Sequence, residues 1–585
     1  MRNLSTLNKY FRKNKKKLFL GFFFILVSDL AQVLIPIFLK NGIDALKNNF
    51  NTEQLISNAI YIVAAAAVSG VFRFSIRETI IVVSREIEYD LLNDFWKHIQ
   101  KLPFNFFKTH STGEMMALGT NDISAVRMYL GPAVMYSVDT IIKFILIIGV
   151  LFSINWQLTL YILLPLPISS FLVYWISKKV HKKFTLIQEK FAELTTKAQE
   201  VFDGIRVVKS YTREDYENKQ FEKLSDEYLN RNLEMAKVRA LFMPVLFLFV
   251  GITLIIVIWV GGYKVINNNL TIGELTAFVV YLGLLTWPMI AFGWVANIIQ
   301  QAEASMKRLN NIFKEKTESQ SDDEFRNFSE NRKFTIKSLE FRNISLKYSN
   351  SKKMILKNIN FKVSKNEVLA IVGHTGSGKT SIINLIPRLF DATEGEVLIN
   401  DKDIKKYPIA LLRKSIGIAT QESFLFSDTI KNNLLFGVDS QDENLIDKLS
   451  KISRLKNDIT QFPEEYETVL GERGITMSGG QKQRTAIARA LAINPEILIL
   501  DDAFSAVDTQ TEEEILNELK SNFKNRISLI ISHRISTVKH ADKIIVIKDG
   551  TILESGTHEE LLKLAGIYAN LHHKQLLEEE LKGMS

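Results

Sequence analysis

Long apolar runs alternate with charged stretches over roughly the first 300 residues of the chain. A helix needs about 20 apolar residues to cross the hydrocarbon core of a bilayer. The runs that meet this length predict six membrane-spanning helices, at about 18–39, 56–78, 135–154, 158–177, 240–263 and 275–302.

Two charged connections between these runs, at about 85–134 and 178–239, are too long to be simple loops. In the second, Phe184, Ile187 and Phe191 recur at the spacing of one helix face. We therefore expect the membrane helices to continue beyond the bilayer, by some 35–40 Å for about 25 residues.

The pattern changes after a polar stretch near residue 320. Short β-rich runs such as Val368–Val372 and Ile497–Leu500 then alternate with helical patterns, which is typical of an α/β domain with a parallel sheet. The predicted domains are a membrane domain at 1–313, a linker at 314–335, an α/β domain at 336–575 and a C-terminal tail at 576–585.

Basic residues indicate which end of the first span is cytosolic. Of the first 17 residues, seven are Lys or Arg and none is acidic, and a second basic cluster lies at Lys178–Lys183. By the positive-inside rule the N-terminus is cytosolic and faces lipid headgroups, and an even number of spans returns the α/β domain to the cytosol. A cleaved signal peptide is the alternative, but no small-residue cleavage site follows.

We therefore attribute the net charge of +9 to contact with the cytoplasmic (inner) membrane surface, and we expect no nucleic-acid partner. The chain has no cysteine, which excludes disulfides and thiolate metal sites.

Five charged side chains fall in or near the predicted spans: Asp29, Arg73, Arg77, Asp139 and Lys143. Charge at the bilayer centre costs at least about 2.5–3.5 kcal/mol, so such residues pair with one another or face a cavity. Asp139 and Lys143 are four residues apart, which predicts a salt bridge within one helix. For Arg73 and Arg77, snorkelling to headgroups and binding of an anionic cargo both stay open.

A glycine-rich loop follows the apolar run Val368–Val372 and opens a helical pattern. In this context the spacing G-x-x-x-x-G-K-T predicts a P-loop, in which Lys379 reaches the β- and γ-phosphates of ATP and Thr380 ligates Mg²⁺. Backbone N–H groups of the loop are expected to surround the phosphates. The residues assigned to this ATP site are Gly373, His374, Thr375, Gly376, Ser377, Gly378, Lys379, Thr380 and Ser381.

The apolar run Ile497–Leu500 ends in two carboxylates, Asp501 and Asp502. After a P-loop, this pattern predicts that Asp501 holds Mg²⁺ and that Asp502 occupies the position of the base or water-orienting group.

Between the P-loop and the carboxylates lies Met477–Arg484, with the sequence MSGGQKQR. This segment resembles the signature of the ABC ATPases, usually LSGGQ, with Met477 in place of leucine. The resemblance covers the whole chain in the order found in bacterial half-size ABC exporters. It implies an all-α six-helix transmembrane domain of the ABC exporter type followed by an α/β P-loop nucleotide-binding domain, and a head-to-tail dimer holding two ATP molecules.

The same resemblance assigns further residues. Tyr348 would stack on adenine, although a lone tyrosine is more often a packing residue, and Gln421 would contact Mg²⁺ and the membrane domain. Asp508 would belong to the D-loop and His533 would contact the γ-phosphate. The catalytic set is then Lys379, Gln421, Asp502 and His533, the metal set is Thr380, Gln421 and Asp501, and the signature residues that complete the partner's site are Ser478, Gly479, Gly480 and Gln481.

Two further segments, Gly113–Asn121 and Ile205–Thr212, resemble the cytoplasmic coupling segments of such exporters. The loop at 468–474 is similar to one found in exporters rather than importers.

The function implied is ATP-driven export or flipping of amphiphilic compounds such as drugs, lipids or peptides, with ATP and Mg²⁺ as cofactors. The partners would be membrane lipid, a small amphiphilic substrate and a second half-transporter. Because the family usually has Glu where this chain has Asp502, a heterodimer is favoured, with a homodimer as the alternative. A regulatory or degenerate half of such a heterodimer and an ATP-gated channel are the competing hypotheses.

Overall fold

The computed structural model describes residues 3–47, 52–318, 334–348, 351, 353–439, 442–471, 474 and 476–583. They form two compact units, a helical unit of Met1–Gln100 and Thr112–Glu315 and an α/β unit of Lys101–Ser111 and Lys316–Ser585. Most of the predicted linker, at 319–333, lies outside the described residues.

Helices account for most of the first 315 residues, and π-helical turns at Arg77–Ile81, Leu118–Asp122, Tyr129–Ala133 and Val257–Gly261 join several of them. The α-helices are α1 (Asn8–Lys13), α2 (Lys15–Lys47), α3 (Thr52–Ile76), α4 (Val82–Ile99), α5 (Phe104–Thr109), α6 (Thr112–Ala117), α7 (Ile123–Met128), α8 (Val134–Leu163), α9 (Pro165–Asp203), α10 (Ile205–Ser210), α11 (Glu214–Ala240), α12 (Phe242–Ile256), α13 (Gly262–Ile266) and α14 (Ile272–Lys314).

Five helical runs in the described residues are long and apolar enough to cross a membrane: Lys15–Leu46, Thr52–Ile99, Thr112–Asp203, Glu214–Ile266 and Ile272–Lys314. The third run contains two of the six predicted spans. They are separated at Asn155, whose backbone leaves the helical region (φ −156°, ψ 103°) and whose side chain accepts a hydrogen bond from Leu158 N at 3.0 Å. Asn155 therefore ends one helical segment and caps the next.

The two charged connections are helical, as predicted. In the second, α9 and α11 run side by side and are joined by three ion pairs: Lys183–Glu234 at 2.9 Å, Lys190–Glu227 at 3.0 Å and Lys197–Glu217 at 2.5 Å. Of the predicted apolar face of α9, Ile187 is buried, whereas Phe184 and Phe191 are each 47% exposed.

Part of the first connection belongs to the α/β unit, which the sequence analysis did not predict. The segment that clusters with the α/β unit is Lys101–Ser111, which contains α5, whereas the predicted coupling segment Gly113–Asn121 belongs to the helical unit. The other predicted coupling segment, Ile205–Thr212, also belongs to the helical unit.

The N-terminal lysines are paired with acids, a contact that the lipid-facing prediction missed. Lys9, Lys13 and Lys17 follow one another at intervals of four residues and form ion pairs of 2.8, 2.5 and 2.6 Å. Their partners on α4 are, in the same order, Asp94, Asp90 and Glu86. These three charges are thus bound to protein.

The predicted salt bridge within α8 is present, with Lys143 Nζ at 3.0 Å from Asp139 Oδ1. The same ammonium lies 3.3 Å from Asp29 Oδ1 on α2, and both Lys143 and Asp29 are buried. One cation thus balances two carboxylates and ties α2 to α8. Arg73 donates to Gln32 Oε1 at 2.8 Å.

The start of α14 is clasped against the end of α2. Asp44 Oδ1 accepts from Gly273 N at 3.0 Å and Asp44 Oδ2 accepts from Thr271 Oγ1 at 2.8 Å, while Lys40 pairs with Glu274 at 2.9 Å. The approach requires glycine, because a Cβ on residue 273 would lie 2.3 Å from the Lys40 carbonyl oxygen.

The α/β unit holds two sheets. Its strands are β1 (Ser338–Leu346), β2 (Leu356–Ser364), β3 (Val368–Gly373), β4 (Glu394–Ile399), β5 (Lys402–Asp403), β6 (Ile416–Ala419), β7 (Ile497–Asp501), β8 (Ile527–Ile531), β9 (Lys543–Lys548) and β10 (Thr551–Gly556). Its further helices are α15 (Lys379–Leu385), α16 (Ile409–Lys414), α17 (Ile430–Leu434), α18 (Glu443–Ile452), α19 (Lys456–Ile459), α20 (Gly479–Ala492), α21 (Thr509–Phe523), α22 (Ile535–Val538), α23 (His558–Lys563) and α24 (Ile567–Gly583), the last of which covers most of the predicted tail.

The larger sheet has the order β10-β9-β3-β8-β7-β6, and the smaller has the order β2-β1-β4-β5. In the larger sheet β9, β3, β8, β7 and β6 are parallel. Successive residues of β3 enter opposite cores, Leu369 and Ile371 on one face and Ala370 and Val372 on the other. A parallel sheet covered on both faces explains why its strands read as unbroken apolar runs.

The clasp at Gly273 can be tested with two alanine substitutions in the same helix. Gly273→Ala should lower the thermal unfolding midpoint of the purified protein, since overpacking costs about 1–3 kcal/mol. Gly283→Ala is the matched control, because a Cβ there meets nothing within 4 Å and alanine favours a helix. Equal midpoints for the two variants in a heating series would contradict the clasp.

Candidate functional site

Four neighbouring strands bring the predicted site residues to one edge of the larger sheet. The P-loop follows β3, His533 follows β8, the two aspartates end β7, and Gln421 follows β6. Because these strands are parallel and adjacent, their carboxyl ends lie at the same edge. Ligands of open α/β sheets bind at this edge.

The P-loop folds around Lys379, as the motif predicts. Gly376 and Gly378 have positive φ angles of 83° and 104°, which favour glycine. A Cβ on Gly373 would lie 2.3 Å from the Ile547 carbonyl oxygen. The hydroxyl of Ser377 is buried and has no hydrogen-bond partner among the described residues. The loop thus carries an unsatisfied polar group that a phosphate oxygen can satisfy.

Lys379 lies at the start of α15 and is buried, 6% exposed. Its Nζ donates to the carbonyl oxygens of Gly373 and His374 at 2.9 and 3.0 Å. Burial lowers the pKa of the Lys379 ammonium, while the charges of Asp502 and Asp501 act in the opposite direction. A phosphate bound in the loop would place a negative charge within hydrogen-bonding distance of this ammonium.

Thr380 and Asp501 are adjacent, with Thr380 Oγ1 donating to Asp501 Oδ2 at 3.3 Å. Burial, with the charge of Asp502 as the next cause, raises the pKa of Asp501 to about 6. Hydroxyl and carboxylate oxygens are ligands that Mg²⁺ prefers. Among the described residues no cluster of three or more His, Asp or Glu could hold a metal by itself. The two side chains therefore fit a Mg²⁺ ion whose other ligands would come from nucleotide phosphates and water.

Asp502 faces His533. Its Oδ1 accepts from His533 N at 3.2 Å, and its Oδ2 lies 3.3 Å from His533 Nε2. Burial, followed by the nearby charge of Lys379, lowers the pKa of the His533 imidazole. Asp502 also has a positive φ of 44°, a conformation that Asp tolerates better than most residues.

The signature segment opens α20. Ser478 and Gln481 form a reciprocal capping box, in which Gln481 N donates to Ser478 Oγ at 3.2 Å and Ser478 N donates to Gln481 Oε1 at 2.9 Å. A Cβ on Gly480 would lie 2.9 Å from the Ala506 carbonyl oxygen, so glycine lets the D-loop approach. Asp508 caps α21 by accepting from Thr511 N at 2.9 Å.

Sequence reasoning missed Gln483, which ties the signature helix to the D-loop. Its Nε2 donates to Ser505 Oγ at 2.7 Å and its Oε1 accepts from Ala506 N at 2.8 Å. Gln483 lies two residues after Gln481 and is buried, so a glutamine on the buried face of α20 is the signal that sequence reasoning could have used.

Tyr348 is half-buried and lies beside the P-loop helix, with its hydroxyl 2.9 Å from Ser381 Oγ. Lys108 and Phe390 contact its ring and were not predicted. Gln421 is exposed at the end of β6. Part of the exporter-type loop at 468–474, residues 472 and 473, lies outside the described residues.

Comparison with known proteins agrees with this geometry. The family model of the ABC transporter transmembrane region matches residues 18–289, and that of the ABC transporter matches residues 356–505.

Two curated relatives are similar over most or all of their length. The multidrug resistance-like ATP-binding protein MdlA of Buchnera aphidicola subsp. Schizaphis graminum is 35% identical over 100% of both chains. The ATP-dependent lipid A-core flippase of Desulfotalea psychrophila is 35% identical over 88% of this chain and 89% of its own.

A solved structure of a bacterial Atm1-family ABC exporter with ATP bound has a TM-score of 0.79 and 26% identity, covering 96% of this chain and 98% of that one. With a transmembrane region fused ahead of an ATPase domain and a full-length relative at 35% identity, this chain belongs to the ABC transporter family.

Proposed function

We propose that the chain is one half of a dimeric exporter that moves amphiphilic compounds across the cytoplasmic membrane, driven by its ABC-type ATPase. The observation that carries this proposal is that the predicted nucleotide-binding residues, from Gln421 to the P-loop, share one sheet edge in a chain that also has a helical unit with membrane-length apolar runs. Relatives named as multidrug-like proteins and lipid A flippases support an amphiphilic cargo.

The membrane domain of the proposed exporter has six spans. With the third helical run divided at Asn155, the five runs supply six crossings, and both ends of the chain then lie on one side. The basic residues near the N-terminus favour the cytosol for that side, where ATP is available.

Nucleotide binding is assigned to the P-loop. Lys379 would exchange the carbonyl oxygens of Gly373 and His374 for phosphate oxygens, and backbone N–H groups of the loop would donate to the phosphates. Thr380 and Asp501 would hold Mg²⁺, which would neutralise the charge that develops during phosphoryl transfer. Tyr348 offers its ring to adenine.

The signature is assigned to the site of the other half-transporter. The capping box on Ser478 orders the start of α20, whose N-terminal N–H groups can meet a γ-phosphate presented by a partner. Two such chains arranged head to tail complete two ATP sites.

Asp502 favours an asymmetric heterodimer in which this chain's own site turns over slowly. Aspartate is one methylene shorter than the glutamate usual in this family, and misplacement of a catalytic group by about 1 Å can cost about 10²-fold in rate. Moreover, both carboxylate oxygens of Asp502 are already engaged by His533, at 3.2 and 3.3 Å. The carboxylate is therefore poorly placed to orient a water molecule, while ATP binding is retained.

The role of Lys379 predicts a loss of ATP affinity on its removal. In the purified chain, Lys379→Ala should weaken ATP binding about ten- to hundredfold, because hydrogen bonds to charged groups contribute about 1.5–3 kcal/mol. Lys405→Ala, an exposed lysine of the same unit, is the control and should bind ATP normally. Unchanged titration of ATP by Lys379→Ala would remove the P-loop assignment.

The role of Asp502 is tested by three versions of the chain. Alone, the wild-type protein should hydrolyse ATP far below the ordinary range of about 1–10³ s⁻¹, and Asp502→Asn should change this little. Asp502→Glu should raise turnover, by up to about 10²-fold, because it restores the reach of the carboxylate. A stable homodimer with ordinary turnover that Asp502→Asn abolishes would refute the asymmetric heterodimer.

A further inference from the structure

One lysine of the α/β unit sits among three aromatic rings beside the P-loop. The ammonium of Lys108 lies over the ring of Tyr348 at 4.4 Å and over that of Phe390 at 4.6 Å, with the ring of Phe104 at 6.0 Å. The rings also contact each other edge-to-face, Tyr348 with Phe390 at 4.9 Å and Phe104 with Phe390 at 5.6 Å. Cations at such distances are attracted to ring faces.

The local sequence explains how Lys108 reaches this position. Pro103 precedes α5 in an extended conformation, and Phe104 and Lys108 are four residues apart on this short helix, so they share a face. The segment is also held at its start, where Glu318 N donates to the Lys101 carbonyl oxygen at 2.8 Å. Glu318 is in turn paired with Arg413 at 2.7 Å.

Tyr348 is thereby fixed from several directions. Its hydroxyl contacts Ser381 of the P-loop helix, its ring contacts Phe390, and one ring face is covered by the Lys108 ammonium. We assign the planar base to the opposite face.

We propose that Lys108 is a positioning residue for the nucleotide base, holding the Tyr348 ring as a ready-made platform for adenine and so setting the affinity and base selectivity of the ATP site. This inference rests on the proposed role of Tyr348. A platform that is already ordered costs less entropy when the base binds, which appears as tighter binding. In the sequence Lys108 lies between α4 and α6 of the helical unit. The adenine site would therefore depend on a residue from outside the continuous ATPase domain that begins near residue 336.

The first experiment measures ATP affinity of the full chain in lipid nanodiscs, by displacement of a fluorescent trinitrophenyl-ATP. Lys108→Met should weaken ATP binding about two- to fivefold, the range expected for an exposed cation–π contact. Lys108→Arg should restore affinity, because guanidinium also stacks on aromatic faces. Lys347→Met, which removes the same charge next to Tyr348, is the matched control and should have no effect. An equal loss in Lys347→Met, or no rescue by arginine, would overturn the proposal.

The second experiment asks whether Lys108 acts through Tyr348. In a Tyr348→Ala background, Lys108→Met should have no further effect, and a full additional loss there would overturn the proposal. Base selectivity gives an independent readout, since stacking favours the larger purine. The ratio of CTP to ATP dissociation constants should shrink in Lys108→Met and stay at the wild-type value in Lys347→Met.

The same series separates this inference from the assignment beneath it. If Tyr348→Ala binds ATP as wild type does, the adenine platform itself is wrong, and the inference fails with it. If Tyr348→Ala weakens binding while Lys108→Met does not, only the role of Lys108 is refuted.

Discussion

A buried ammonium at the edge of a parallel sheet is the interaction on which the nucleotide site depends. Lys379 donates to two main-chain carbonyl oxygens, while burial lowers its pKa. Around it the backbone passes so close to β9 at Gly373 that a side chain would not fit, and it adopts a positive φ angle at Gly378. Both positions therefore favour glycine. A loop closed around a buried ammonium is suited to an anion such as phosphate.

The P-loop and the two aspartates could be recognised because each motif is local in the sequence. The runs that form β3 and β7 are visibly apolar, the P-loop follows the first run, and Asp501 ends the second. The sheet then brings together what the chain separates, since parallel neighbours place all carboxyl ends on one side. The P-loop and the two aspartates follow from motif spacing, whereas Tyr348, Gln421 and His533 were assigned from the family resemblance.

Contacts between distant segments could not be inferred in this way. Lys108 and Tyr348 are far apart in the chain, and nothing in the pattern of α5 indicates that its lysine meets an aromatic ring. The same holds for Lys9 and Asp94, and for Asp29 and Lys143. From the sequence, each of these charged side chains could equally have been stabilised by lipid headgroups or water. Only the folded structure shows that each has a protein partner.

The membership of Lys101–Ser111 in the α/β unit was also not predicted from the sequence. Gly113–Asn121 carries a motif that can be recognised in the sequence. Lys101–Ser111 carries none, and its place in the α/β unit is seen only from contacts such as that of Phe104 with Phe390.

Asn155 has a consequence for how the chain is made. With only three residues, Asn155–Gln157, between two of the proposed spans, neither apolar segment has a polar flank long enough to stay outside the membrane by itself. The two segments therefore have to enter the bilayer together, as a helical hairpin led by its turn. The basic residues of α9 that begin at Lys178 then stay on the side of the membrane where the ribosome is. There α9 and α11 can pair with each other before the rest of the protein has been translated.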